Sequence, residues 1–122
     1  MEDYFTLLVR NVNDAPEAVL SIEDQIVSEN QEPEYVFTLP EDVFFDPDGD
    51  NLSLSAASLE GGPLPAWLNF NGSTETFWGI PRNEDVGSFE VRITATDPGD
   101  LSTFIDVLFV VENVNDAPVL FA

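Results

Sequence analysis

Apolar and polar residues alternate along most of this chain with a period of two, the pattern of strands that bury one face and wet the other. The clearest stretch is 88–97, where Phe89, Val91, Ile93 and Ala95 alternate with Glu90, Arg92, Thr94 and Thr96. Similar patterning predicts strands at 34–39, 52–59, 66–70, 74–80 and 103–112, with a shorter one within 19–27. Turn-forming runs interrupt them at short intervals: Pro47-Asp48-Gly49-Asp50, Gly61-Gly62-Pro63, Asn71-Gly72 and Asp97-Pro98-Gly99-Asp100. No segment carries the period of an amphipathic helix of useful length. Seven strands with these turns predict an all-β fold, a seven-stranded Ig-like β-sandwich.

The stretch 103–112 departs from simple alternation. Ile105, Val107, Phe109 and Val111 form one apolar face, yet Phe104, Leu108 and Val110 on the other are apolar too. Such a strand is covered on both sides, or its outer face meets a neighbouring unit.

An internal repeat gives the organisation. Asn11-Val12-Asn13-Asp14-Ala15-Pro16 recurs identically as Asn113-Val114-Asn115-Asp116-Ala117-Pro118, and upstream Phe5, Leu7 and Val9 align with Val107, Phe109 and Val111. Each copy reads as a last strand followed by a linker. Residues 1–15 are then the last strand and linker of a preceding repeat, 16–112 one sandwich unit, and 113–122 the exit linker and start of the next. A strand near 4–9 without its own sheet would fray, or pair with an exposed edge of its own or another copy.

Charge narrows the chemistry. The 122 residues include 24 Asp and Glu but only 3 Lys and Arg, with no His and no Cys, for a net charge of −21. Ser-His-Asp and Cys-His nucleophile systems, zinc fingers, iron–sulfur clusters and His- or Cys-ligated haem are excluded. Arg10, Arg82 and Arg92 are too few to hold a phosphate backbone, so no nucleic acid is expected. A chain that is 43% hydrophobic and 11% aromatic nevertheless folds around a core. Its longest apolar run, 107–111, is far below a membrane span, so direct membrane insertion is not expected. Met1-Glu2-Asp3-Tyr4 lacks the start of a signal peptide, so an export signal is expected outside this sequence.

The acids are clustered. Asp46-Pro47-Asp48-Gly49-Asp50-Asn51 and Asp97-Pro98-Gly99-Asp100 set carboxylates at alternate or near-alternate positions in tight loops. Two carboxylates 4 to 5 Å apart repel by roughly 3 to 4 kcal/mol at an effective dielectric near 20. Three arginines cannot neutralise several such loops. A divalent cation can, and ligands limited to oxygen suit Ca2+. A single Asp-Gly turn is adequately explained as a solvated turn; the repetition of such loops favours calcium. The run is not an EF-hand, since the flanking helices and the twelfth-position Glu are absent.

Together, the repeated Asn-Val-Asn-Asp-Ala-Pro linker, Asp46-Pro-Asp-Gly-Asp-Asn-Leu-Ser, Leu64-Pro-Ala-Trp-Leu-Asn-Phe, Thr76-Phe-Trp-Gly-Ile-Pro, Asp85-Val-Gly-Ser-Phe and Thr94-Ala-Thr-Asp resemble the dystroglycan-type cadherin-like repeat over nearly the whole chain. The resemblance implies a seven-strand cadherin-like Greek-key sandwich, strung in arrays in secreted or cell-surface proteins, especially bacterial adhesins and hemolysin-type proteins, with Ca2+ held between units. It implies a top half-site of Asn13, Asp46, Asp48 and Asp97, with Asn51 as an additional ligand. It implies a bottom half-site of Glu29, an acid from Glu84-Asp85 (Asp85 preferred), Asn113, Asn115 and Asp116. This chain has Asn11 and Asn113 where cadherins carry Asp, a linker one residue shorter, and Glu84-Asp85 in place of Asp-Arg-Glu. Weak calcium binding by the isolated unit is the expectation, with neighbouring repeats completing each half-site.

The implied function is a non-enzymatic calcium-binding spacer and adhesion module, whose partners are neighbouring repeats, homophilic contacts or a polysaccharide. The alternative is a calcium-dependent carbohydrate-binding module, since exposed aromatic rings stack on sugars. Trp67, within Pro65-Ala66-Trp67-Leu68, is expected in the core. Trp78 stands before Gly-Ile-Pro where the family has a small polar residue, and is the candidate contact for a glycan or partner. A glycosidase built on paired carboxylates would need two acids in a deep apolar pocket, which nothing in the sequence marks.

Overall fold

A computed structural model describes residues 13–30 and 34–113; the strand expected near 4–9, Asn11, Asn115 and Asp116 lie outside the described residues. Nine strands are present among the described residues: β1 (Glu17–Ala18), β2 (Gln25–Ser28), β3 (Tyr35–Thr38), β4 (Phe44–Phe45), β5 (Ser53–Ser58), β6 (Asn69–Asn71), β7 (Thr76–Gly79), β8 (Gly87–Thr96) and β9 (Ser102–Glu112). A single 3-10 turn, Asn83–Asp85, precedes β8. One sheet has the order β2-β9-β8-β5, a second β3-β7-β6, and β1 pairs with β4 on its own. All pairings are antiparallel except β2 with β9.

The all-β prediction holds, and two short elements account for the larger strand number. The strand expected within 19–27 is reduced to β2, parallel to β9, and β1, antiparallel to β4, precedes that stretch, so that the chain changes sheets across residues 19–24. The strand expected at 66–70 starts only at Asn69, because Leu68 N–H donates back to the Pro65 carbonyl and closes a turn.

The core forms where the inner faces meet. Val91, Ile93 and Ala95 of β8 and Val107, Phe109 and Val111 of β9 are buried, opposite Tyr35 and Phe77 of the second sheet. Phe109 is the hub: it stacks on Phe89 at 5.5 Å, meets Phe77 at 5.5 Å and takes Tyr35 edge-on at 6.1 Å. Trp67 is buried as expected and packs edge-on against Phe89. Gly79 makes this possible, since a Cβ there would collide with the Trp67 carbonyl oxygen. On the outer side of β9, Phe104 is exposed, and the Arg92 guanidinium lies 3.7 Å from its ring centre while donating to Asp106 at 2.9 and 3.2 Å. Leu108 and Val110 are half-buried.

Candidate functional site

Strand register gathers the acidic loops at one end of the sandwich. β5 enters opposite the end of β8, Ser53 facing Thr96, which brings the loop before Ser53 alongside Asp97. The β1–β4 pair sets Glu17 against Phe45; continued outward, it lays Asn13 and Asp14 along Asp46 and Asp48. Asp14 N–H donates to Asp48 Oδ2 at 2.7 Å, and Asn13 Nδ2 donates to Asp97 Oδ2 at 2.9 Å. The entering segment is therefore clasped to both acidic loops.

Each buried acid first organises its own loop. Asp46, only 7% exposed, accepts the N–H of Asp48 at 3.2 Å and of Asp50 at 2.8 Å. Asp97, 4% exposed, accepts the N–H groups of Gly99 and Leu101 on Oδ1. An ionised carboxylate has about four lone-pair sites, so neither is saturated. Gly99 also leaves room for the clasp, since a Cβ there would lie 2.5 Å from Asn13 Nδ2.

Carboxylate oxygens of Asp46, Asp48 and Asp50 lie within 4.8 Å of one another, the only such group of three potential ligands among the described residues. Asp50 belongs to this group, although the resemblance assigns Asn51 instead; the alternating 46/48/50 spacing is the signal that marks it. Asn51 is exposed and lines the open cleft beside the loop together with Asp46 and Asp50. The Asp50 carboxyl titrates above the ordinary carboxylate value, through desolvation first and then the negative charges of Asp46, Asp48 and Asp97. The donors are all oxygen and carry excess negative charge, which fits a hard divalent cation.

The opposite end is sparser. The β2–β9 pairing brings Ser28 beside Glu112, and Glu29 N–H extends it by donating to the Glu112 carbonyl. Asn30 N–H bonds the Pro81 carbonyl, tying this corner to the segment that leads into the 3-10 turn. Glu29 is 4% exposed, and its Oε2 has no hydrogen-bond partner among the described residues. Asp85 uses Oδ2 to accept the Arg82 N–H at 2.8 Å, and Asn113 is exposed. The described acids at this end form no group of three. Trp78 lies on the outer face of the second sheet, away from both ends.

Antiparallel and parallel pairings around one sandwich core define an immunoglobulin-like domain carrying an acidic loop cluster. The family described as "Putative Ig domain" (He_PIG) matches residues 17–112, and the chain belongs to it. No curated protein matches the chain. Among solved structures, Drosophila N-cadherin EC1-4 is similar at a TM-score of 0.66 and 16% identity, over 85% of this chain and 26% of that one. An endo-fucoidan hydrolase of glycoside hydrolase family 107 is similar at 0.58 and 25% identity, over 90% of this chain and 15% of that one. The PKD domain of the KIAA 1837 protein is similar at 0.52 and 12% identity, over 90% of this chain and 97% of that one. The chain thus spans a small part of the cadherin and hydrolase chains it resembles. Among the described residues, no helix is long and apolar enough to cross a membrane.

Proposed function

We propose that this chain is a non-enzymatic Ig-like unit of the dystroglycan-type cadherin-like kind, binding Ca2+ where successive units join and serving as a spacer and adhesion module in a larger secreted or surface protein. The observation that carries the reading is the convergence of Asp46, Asp48 and Asp50 beside an entering segment already clasped to Asp48 and Asp97. Ca2+ held there would offset the mutual repulsion of the acids and fix the direction from which the preceding unit arrives. The Glu29 oxygen, without a partner among the described residues, supports a second half-site at the exit end, completed by residues beyond Glu112. A buried carboxylate oxygen without a donor is costly, and a cation from the joint would satisfy it.

Thermal unfolding in excess Ca2+ and in EGTA tests this reading. Ligand at a hundred times its Kd stabilises by about 2.7 kcal/mol, a Tm rise on the order of 10 °C for a domain of this size. Asp48→Asn should remove most of the rise, and Mg2+, which demands tighter octahedral geometry, should reproduce little of it. Equal Tm values in Ca2+ and EGTA would reject the reading.

A carbohydrate setting is the second reading. Its support is the 25% identity to a stretch making up 15% of an endo-fucoidan hydrolase chain, the relation expected of an accessory module in a polysaccharide-acting protein.

A further inference from the structure

The outer face of the β3-β7-β6 sheet carries two rows of uncharged residues. Register places Val36, Trp78 and Asn69 in one row across the three strands, and Thr38, Thr76 and Asn71 in the next. None of these six positions is charged, in a chain of net charge −21. Phe77, next to Trp78, points into the core, so the indole points outward; it is half-buried and meets no other aromatic ring among the described residues. Its N–H donates to no acceptor among those residues. Val36 beside it is 59% exposed. The Thr38 and Thr76 hydroxyls lie 3.0 Å apart on the same face, and Asn69 Nδ2 donates to the Trp78 carbonyl at 3.2 Å.

We propose that this face binds an uncharged polysaccharide, with Trp78 stacking on a sugar ring. Three strands are about 10 Å across and the two rows about 7 Å apart, which is room for about one or two sugar rings. It is too small for a stable protein partner, which needs about 800 Å² on each side. The indole supplies a flat apolar surface and an N–H donor with no acceptor among the described residues, and the hydroxyls and amides beside it are neutral groups of the kind that pair with sugar hydroxyls. No Lys or Arg stands in either row to hold a sulfate or uronate, and the acidic surface repels both. The six positions contain no carboxylate, so binding here does not depend on Ca2+ and does not rest on the calcium reading.

Native affinity electrophoresis in gels cast with glucomannan, β-1,4-xylan or the sulfated polysaccharide fucoidan tests the assignment, run in EGTA and again with excess Ca2+. The expected result is retardation by a neutral polysaccharide and none by fucoidan, with affinity reduced at least fivefold in both Trp78→Ala and Val36→Glu. Should Trp78→Ala lower the Tm, Val36→Glu, at an exposed position, decides. Absence of retardation by the neutral chains, retardation by fucoidan alone, dependence on added Ca2+, or folded variants that bind as well as wild type would each overturn it.

Discussion

Asp50 is the residue on which the electrostatic account is sharpest. Desolvation, followed by the negative charges of Asp46, Asp48 and Asp97, raises its pKa, so its ionised form is disfavoured in the fold relative to the unfolded chain. The sign follows from linkage: its unfavourable contribution is absent below the ordinary carboxylate pKa and appears as pH rises through the elevated folded value. Asp50→Asn is therefore expected to raise the Tm in EGTA at pH 7, to flatten the pH dependence from the ordinary carboxylate range up to pH 7, and to reduce the stabilisation by Ca2+. Melting curves across that range check all three. Its backbone N–H, which bonds Asp46, is untouched by the substitution. Glu75 is a different case: it sits in the β6–β7 turn at φ 57, a left-handed conformation that costs a residue with a Cβ about 1 kcal/mol. Glu75→Gly should recover several tenths of a kcal/mol, since part of the gain is lost to the entropy of the unfolded chain, and urea unfolding would measure it.

At the scale of the elements, the long strands were legible and the short ones were not. β8 and β9 follow the period-two pattern and fall within a residue of their expected bounds, because ten or eleven alternating positions leave little freedom of register. β1 and β4 are two residues each, too short to carry any period, and exist because each supplies the other's backbone partners. They are also the elements that bring Asn13 and Asp14 to the acidic loops. The sequence motifs could thus name Asn13, Asp46, Asp48 and Asp97 without showing how the entering segment reaches them. Glu29 was named through the family resemblance alone; its burial follows from the β2–β9 pairing, a contact between positions more than eighty residues apart. The weight of the fold rests on β9, where Phe109 joins Tyr35, Phe77 and Phe89. Phe109→Ala should cost about 3 to 5 kcal/mol, enough to leave a marginal domain largely unfolded at 37 °C by circular dichroism. Arg92→Ala should leave the urea-unfolding midpoint nearly unchanged, since the Asp106 pair is partly exposed and the contact with Phe104 lies at the surface.

For the whole molecule, the net charge of −21 has two separable parts. One part is concentrated at the loop end, where strand register forces Asp46, Asp48, Asp50 and Asp97 together and ties them to the entering segment. The other is spread over exposed positions such as Glu34, Glu41, Glu60 and Glu90, where solvent screens it and it serves solubility. Only the first part should respond to a cation with site-specific changes. Amide chemical shifts of the 15N-labelled protein, followed through a Ca2+ titration, separate the two directly. The account predicts saturable shifts at Asp14, Asp48, Gly49, Asp50, Gly99 and Leu101, with the exposed acids on the sheet faces unmoved. Shifts scattered over the acidic surface without saturation, or no shifts at millimolar Ca2+, would contradict it.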